Sequence, residues 1–218
     1  MDFMSAFSWS NLQFLFSGLQ VTIEVSVIAI ILSFVIGGIL GVLRFTKISV
    51  VSKVLGLFID IIRNLPLLLI IFFTYFALPQ IGIKFDIFWS AVVALTIFES
   101  AMLSEVFRAG LNAVPKGQME AGLSTGLSYV DTLWQIIFPQ AFKSMIPALV
   151  SQLISLIKDT SLAVIISLPE LTHNAKIIYG QNEAYVLPMF LAMTLMYFVI
   201  CYVLSLIAKY LEARQYSH

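Results

Sequence analysis

GQMEAGLSTGLSYVDTLWQIIFPQ, residues 117–140, is polar and turn-rich and lies between segments that are almost wholly apolar. Its reading decides the fold, and the rest of the chain looks built to hold it in place. Residues 118–125 read as a short helix, and Gly126 supplies the left-handed position that ends one. Ser128 starts a second helix, with Asp131 three residues on in the capping-box arrangement, Asp replacing the usual Glu or Gln. Pro139 is expected to limit that helix at its far end. The product is a helix-turn-helix elbow. Taken alone, it is also compatible with an ordinary amphipathic elbow lying on a membrane surface.

Composition removes the soluble classes. Of 218 residues, 60% are hydrophobic and 11% charged, where a typical soluble chain has roughly 45–50% apolar and about 25% charged residues. The chain is expected to be an integral membrane protein. The formal net charge is zero and no basic run occurs, so nucleic acid has nothing to attract it. The single cysteine, Cys201, lies in an apolar segment and has no internal disulfide partner. The first charge is Asp2 rather than Lys or Arg, and the long apolar run starts too late for a cleavable signal peptide, so the first span should act as an uncleaved anchor.

Working outward, residues 3–16 place Trp9 where an interfacial segment would. Five spans follow, at about 18–43, 54–79, 87–110, 144–169 and 185–209, with the elbow in a cytoplasmic connection at 111–143. Chain 1–218 is thus one transmembrane domain. Gly37 and Gly41 either let another helix approach or only relieve crowding. Pro66 should break or kink the second span. Arg44, Lys47, Lys53, Arg108, Lys116, Lys143, Lys209 and Arg214 collect on one side, against Lys84 and Lys176 on the other. By the positive-inside tendency the elbow and C-terminus are cytoplasmic and the N-terminus is outside.

Ionisable residues inside spans cost about 2.5–3.5 kcal/mol each on insertion scales, so they face a bundle interior, a cavity or a partner. Lys158 and Asp159 lie midway along the fourth span, followed by the hydroxyls of Thr160 and Ser161. They mark either a locally opened helix at a polar cavity or a salt-bridged packing motif. Arg63-Asn64 beside Pro66 is similar, with snorkelling of Arg63 to the interface as the competing reading. Glu99, among Ile97, Phe98, Ala101 and Met102, is the best candidate for meeting a cationic group. Glu105 and Arg108 share a helix face and read as a structural pair. No Walker glycine loop occurs, so the chain should not bind ATP itself. His173 and His218 lack neighbours at ligand spacing, so no metal site is expected, and no hydrolase motif is present.

The elbow also fits a known pattern of Glu-Ala-Ala, three residues, Gly, nine residues, Ile, one residue, Leu, Pro. Here it reads Glu120, Ala121, Gly122, then Gly126, Ile136, Phe138 and Pro139, with Gly122 and Phe138 as departures in size. This resembles the cytoplasmic coupling loop of ABC importer permeases. Gly18-Leu19-Gln20-Val21-Thr22, Arg63-Asn64-Leu65-Pro66-Leu67, the run from Glu105 to Gly110 and Lys158-Asp159-Thr160-Ser161-Leu162 extend the likeness over the whole chain, and all look like the polar amino-acid uptake permeases, most of all the glutamine permeases.

The resemblance implies an all-α type I importer fold with about five spans. It implies two ATPase subunits holding ATP and magnesium, a second permease subunit, identical or homologous, and an extracytoplasmic amino-acid-binding protein in a bacterial cytoplasmic membrane. The chain itself would hold no cofactor and would not be an enzyme. Glu120, Ala121, Gly122, Gly126, Ile136 and Pro139 would couple it to the ATPase, while Arg63, Asn64, Glu99, Lys158, Asp159, Thr160 and Ser161 are candidates along the substrate pathway. The expected cargo is glutamine or glutamate; alternatives are a basic amino acid or cystine, or an ion-coupled secondary transporter in which the elbow would have no job.

Overall fold

The structure, a computed structural model, describes the backbone at residues 1–46 and 49–215 and the side chains at 1–46 and 50–210. Lys47, His218 and the side chain of Arg214 therefore lie outside the described residues. The described residues are helical almost throughout. Helix α1 (Phe3–Ala6) is capped by Asp2, whose Oδ1 accepts the Ser5 N–H at 3.0 Å. Helix α2 (Trp9–Phe45) runs without a break for 37 residues, so the segment around Trp9 is already part of the first long helix. Helix α3 (Ser49–Asn64) stops where Pro66 disfavours helical backbone in the residue before it. Helix α4 (Leu67–Phe72) restarts behind that proline, with Pro66 itself in extended conformation at the N-cap.

From α4 the chain passes through a π turn (Phe73–Ala77) and a 3-10 turn (Leu78–Ile81) to Gly82, left-handed at φ 89°. Then come α5 (Ile87–Ala113), α6 (Lys116–Ser124) and α7 (Tyr129–Thr132). A second π turn (Leu133–Ile137) leads into α8 (Phe138–Asp159), a 3-10 segment (Thr160–Ile166), α9 (Leu171–Tyr179) and α10 (Val186–Gln215). Four helical stretches are long and apolar enough to cross a membrane, and the bent pair around Pro66 makes a fifth if counted as one span.

Pro139 does not end the elbow's second helix, contrary to the expectation from its ring and missing N–H. Residues Tyr129–Ile166 form one continuous helical stretch. The reason is the π turn. The Phe138 N–H reaches back five residues to the Leu133 carbonyl, and this wider turn leaves room for a proline that can neither donate nor tolerate a crowded carbonyl four residues earlier. The same arrangement recurs at Pro79, which follows the π turn whose closing bond runs from Leu78 N–H to Phe73 O. Both prolines stand two residues beyond a π turn.

The chain divides into two compact units. One comprises Met1–Ile31, Leu65–Thr96 and Leu153–Leu206. Its core packs Leu15 of α2 with Leu171, Ala175 and Ile178 of α9 and Met189 and Met193 of α10. Gly18 lets α9 come against α2: a Cβ there would lie 2.8 Å from Asn174 Nδ2 and 2.9 Å from the Glu170 carbonyl. Asn174 donates to the Phe14 carbonyl at 2.8 Å, and Thr22 Oγ1 accepts the Leu171 N–H at 3.2 Å.

The other unit comprises Leu32–Asn64, Ile97–Gln152 and Ile207–His218. Leu103, Phe107 and Leu111 of α5 pack there with Leu133, Ile137, Ala141 and Met145. Gly37 and Gly41 turn out to be close-approach positions. A Cβ on Gly37 would lie 2.8 Å from Leu103 Cβ, and one on Gly41 only 2.5 Å from Phe107 Cβ. Small residues let the α2 and α5 backbones meet here, as membrane helices require when no hydrophobic effect drives them together.

Candidate functional site

The elbow is built by local capping. Pro115 opens α6, and the helix ends in a Schellman motif: Leu127 N–H bonds the Gly122 carbonyl at 3.3 Å and Gly126 N–H the Leu123 carbonyl at 3.1 Å. Both bonds need a left-handed residue at 126, and Gly126 has φ 89°. Two residues on, Ser128 Oγ accepts the Asp131 N–H at 3.1 Å, and the same hydroxyl donates to the Asp131 carboxylate. The turn between the two helices is therefore fixed by both caps.

The arms are fixed by packing as well. Gly122 is buried against Thr132 and Ile136, and a Cβ there would overlap the Thr132 side chain. Glu120 and Ala121 are exposed beside it, as are Val130 and Trp134 on the second arm. Beneath, Leu133 and Ile137 join the α5 core, which ties the elbow to a membrane-spanning helix. Ile136 is half-buried and Pro139 exposed. A cleft of about 330 Å³ opens alongside, between Phe45, Asn112, Lys116, Met119, Glu120 and Tyr129.

The same unit holds a charged cluster. Glu105 accepts from Arg44 at 3.1 Å and, through both of its oxygens, from Arg108, one bond at 2.9 Å. Arg63 stands further off, 4.0 Å from Glu105 and 3.8 Å from Asp60. The pairing of Glu105 with Arg108 follows from their spacing, but Arg44, 61 residues away in sequence, carries no local signal for it. Asn64 is exposed and donates to the Asp60 carbonyl at 2.7 Å. Glu99 is buried on α5, with 2% of its surface accessible.

In the other unit, Lys158 is exposed and Asp159 half-buried, and no ion pair within 4.0 Å joins them among the described residues. Thr160 Oγ1 donates to the Ile157 carbonyl and Ser161 Oγ to that of Lys158, both at 2.7 Å. These hydroxyls satisfy carbonyls released where α8 tightens into the 3-10 segment. Thr160, Ala163 and Ile166 are buried at every third position, the period of that tighter helix.

A further site has no counterpart in the sequence-based expectations. The fully buried Glu170 caps α9, accepting Thr172 and His173 N–H at 2.8 and 2.7 Å and the Tyr197 hydroxyl at 3.0 Å. Burial pushes its carboxyl above the ordinary Glu range, against the pull of those donors. The expected spans end at 169 and resume at 185, and a carboxylate at a helix start, such as Glu170 before α9, is a signal that those spans do not use.

Residues 29–216 match the family described as binding-protein-dependent transport system inner membrane component. The chain is 57% identical over 217 residues to a probable glutamine ABC transporter permease of Bacillus subtilis, covering 99% of this chain and all of that one. It is 36% identical to an L-cystine transport system permease of the same organism, covering 90% and 84% of the two chains. A crystal structure of an amino acid ABC transporter with histidines matches with TM-score 0.89 at 29% identity, covering 98% of this chain and 99% of that one. The chain belongs to the inner membrane components of binding-protein-dependent transport systems, and among them to the permeases of amino-acid ABC transporters.

Proposed function

We propose that this multi-pass permease passes glutamine through a bacterial cytoplasmic membrane, in an importer whose ATP hydrolysis resides on separate subunits. Full-length likeness to a probable glutamine permease supports that cargo over the cystine carried by a more distant relative. Two ATPase subunits, with ATP and magnesium, sit at the elbow; a second permease subunit completes the path, and an external binding protein delivers the amino acid. The N-terminus is outside and the C-terminus cytoplasmic, following the distribution of Lys and Arg.

The observation that carries the coupling role is the burial of Gly122 between the arms with Glu120 and Ala121 left exposed. Glu120 offers its carboxylate to a basic group or helix N-terminus of the ATPase. Ala121 allows close contact, and Gly126 sets the elbow angle. Gly122 and Ile136 act inside the lever, and Pro139 lies exposed just beyond the π turn that joins the elbow to α8. ATP binding closes the ATPase pair, the elbow moves as a rigid body, and the path opens outward; hydrolysis reverses the motion. Arg63, Asn64, Glu99, Lys158, Asp159, Thr160 and Ser161 are the polar groups available along the path.

The test is the permease purified with its ATPase, reconstituted with the binding protein, and assayed for ATP hydrolysis and labelled glutamine uptake. Glutamine is expected to stimulate hydrolysis and to enter only with ATP. Uptake on an ion gradient without the ATPase overturns the reading; stimulation by cystine or arginine instead of glutamine overturns the cargo.

A further inference from the structure

Among the described residues of the charged cluster, Arg63 is the arginine held only by long ion pairs, with no side-chain hydrogen bond to either carboxylate. The two oxygens of Glu105 are taken by Arg44 and Arg108, a bidentate fork plus a third hydrogen bond. Arg63 lies 4.0 Å from Glu105 and 3.8 Å from the half-exposed Asp60, and neither contact is a hydrogen bond. Its guanidinium, with five donors and one-third of the side chain exposed, therefore keeps a fork free for an incoming oxyanion.

That fork lines a groove of about 440 Å³. Ser144 and Gln152 line the same groove, with Met102, Val106 and Ala148 as apolar wall. The groove contrasts with a larger one, about 540 Å³, between Phe3, Phe7, Leu15, Leu191, Leu195 and Ile200, whose lining is wholly apolar and suits a hydrocarbon chain. A cation at one place and an amide at another suit a small molecule carrying a carboxylate and an amide. Gln152 can pair with a side-chain amide as both donor and acceptor.

We propose that Arg63 binds the α-carboxylate of the transported amino acid, with Gln152 reading its side-chain amide. This rests on the amino-acid importer reading and gives one of its pathway candidates a partner and a role. Arg44 and Arg108 are positioning residues: by taking the hydrogen bonds of both Glu105 oxygens they leave Arg63 only a long ion pair to it, with donors to spare.

The experiment is equilibrium binding of radiolabelled L-glutamine to the permease–ATPase complex in nanodiscs, without binding protein, with L-glutaminol, which lacks the carboxylate, as competitor. Arg63→Gln is expected to weaken binding at least tenfold, and glutaminol to compete at least tenfold less well than glutamine. Wild-type affinity in Arg63→Gln, or equal competition by glutaminol, overturns the proposal. A wild-type difference that appears only in nanodiscs containing phosphatidylglycerol assigns the fork to a lipid phosphate and also overturns it. Should Arg63→Gln fail to assemble, Gln152→Leu reads the same groove: a fivefold or greater loss supports the site and unchanged binding sinks it. If wild type imports a different amino acid, the glutamine reading fails first, and the same comparison with that amino acid still decides Arg63.

Discussion

Gly122 and Thr132 meet so closely across the elbow that a Cβ on the glycine would overlap the threonine side chain. The coupling-loop pattern that the sequence resembles has alanine at the position of Gly122, yet here alanine has no room. Gly122→Ala is expected to force the arms apart at a cost of about 1–3 kcal/mol, the usual penalty for overpacking. Substrate-stimulated ATP hydrolysis in the reconstituted importer should drop severalfold. Thr132→Ala removes the obstructing atoms, so the double variant should recover most of the activity lost. A double variant no better than Gly122→Ala would show that the arms do not communicate through this contact.

Gly126 tests the same lever at its turn. With φ 89° and nothing within 4 Å of a Cβ, its constraint is conformational rather than spatial. Gly126→Val places a β-branched residue in the left-handed region, at a cost of at least ~1–2 kcal/mol. It is expected to insert at wild-type levels and lose uptake, whereas Gly126→Asn, which tolerates that region, should keep much of it. Equal uptake by the valine variant would remove the turn from the coupling path.

On α2, Gly38 and Gly41 provide an internal comparison. A Cβ at 38 would meet Phe107 at 3.5 Å, ordinary contact, while one at 41 would sit 2.5 Å from Phe107 Cβ and 2.7 Å from the Ser104 carbonyl. Gly38→Ala should leave the thermal stability of the purified complex unchanged, and Gly41→Ala should lower it by roughly 1–3 kcal/mol. Similar melting temperatures for the two would mean that α2 and α5 can separate at no cost.

What was legible in the sequence was local. Ser128 with Asp131, Gly126 and Pro66 act within a few residues, so their caps and breaks can be read directly. Pro139 shows the limit: its helix-breaking rule assumes a regular helix ahead of it, and the π turn removes the clash. The burial of Gly122 depends on Thr132 returning across the turn, and the engagement of Glu105 by Arg44 depends on two helices meeting. Neither leaves a trace in spacing. Gly18 and Thr22 were visible only as a resemblance, and their physical reason, the seat for α9, needs the fold.

Glu170 gives a prediction with a definite sign in pH. Its folded carboxyl titrates above the ordinary Glu value of 4.5 because burial penalises the charge more than the Thr172, His173 and Tyr197 donors favour it. The folded state therefore binds the proton more tightly than the unfolded chain. The corresponding stability is fully present below the ordinary Glu value and is lost as pH rises through the raised folded value. Glu170→Gln keeps the shape and one acceptor for the α9 N-terminus but cannot titrate. Measured as thermal unfolding of the purified complex from pH 4 upward, wild type should lose stability relative to Glu170→Gln as pH rises through this window and run parallel to it above. A difference that widens in wild type's favour with rising pH would mean that the hydrogen bonds outweigh burial, and that the carboxylate, not the acid, is the form that holds α9 against Thr22 and Gly18.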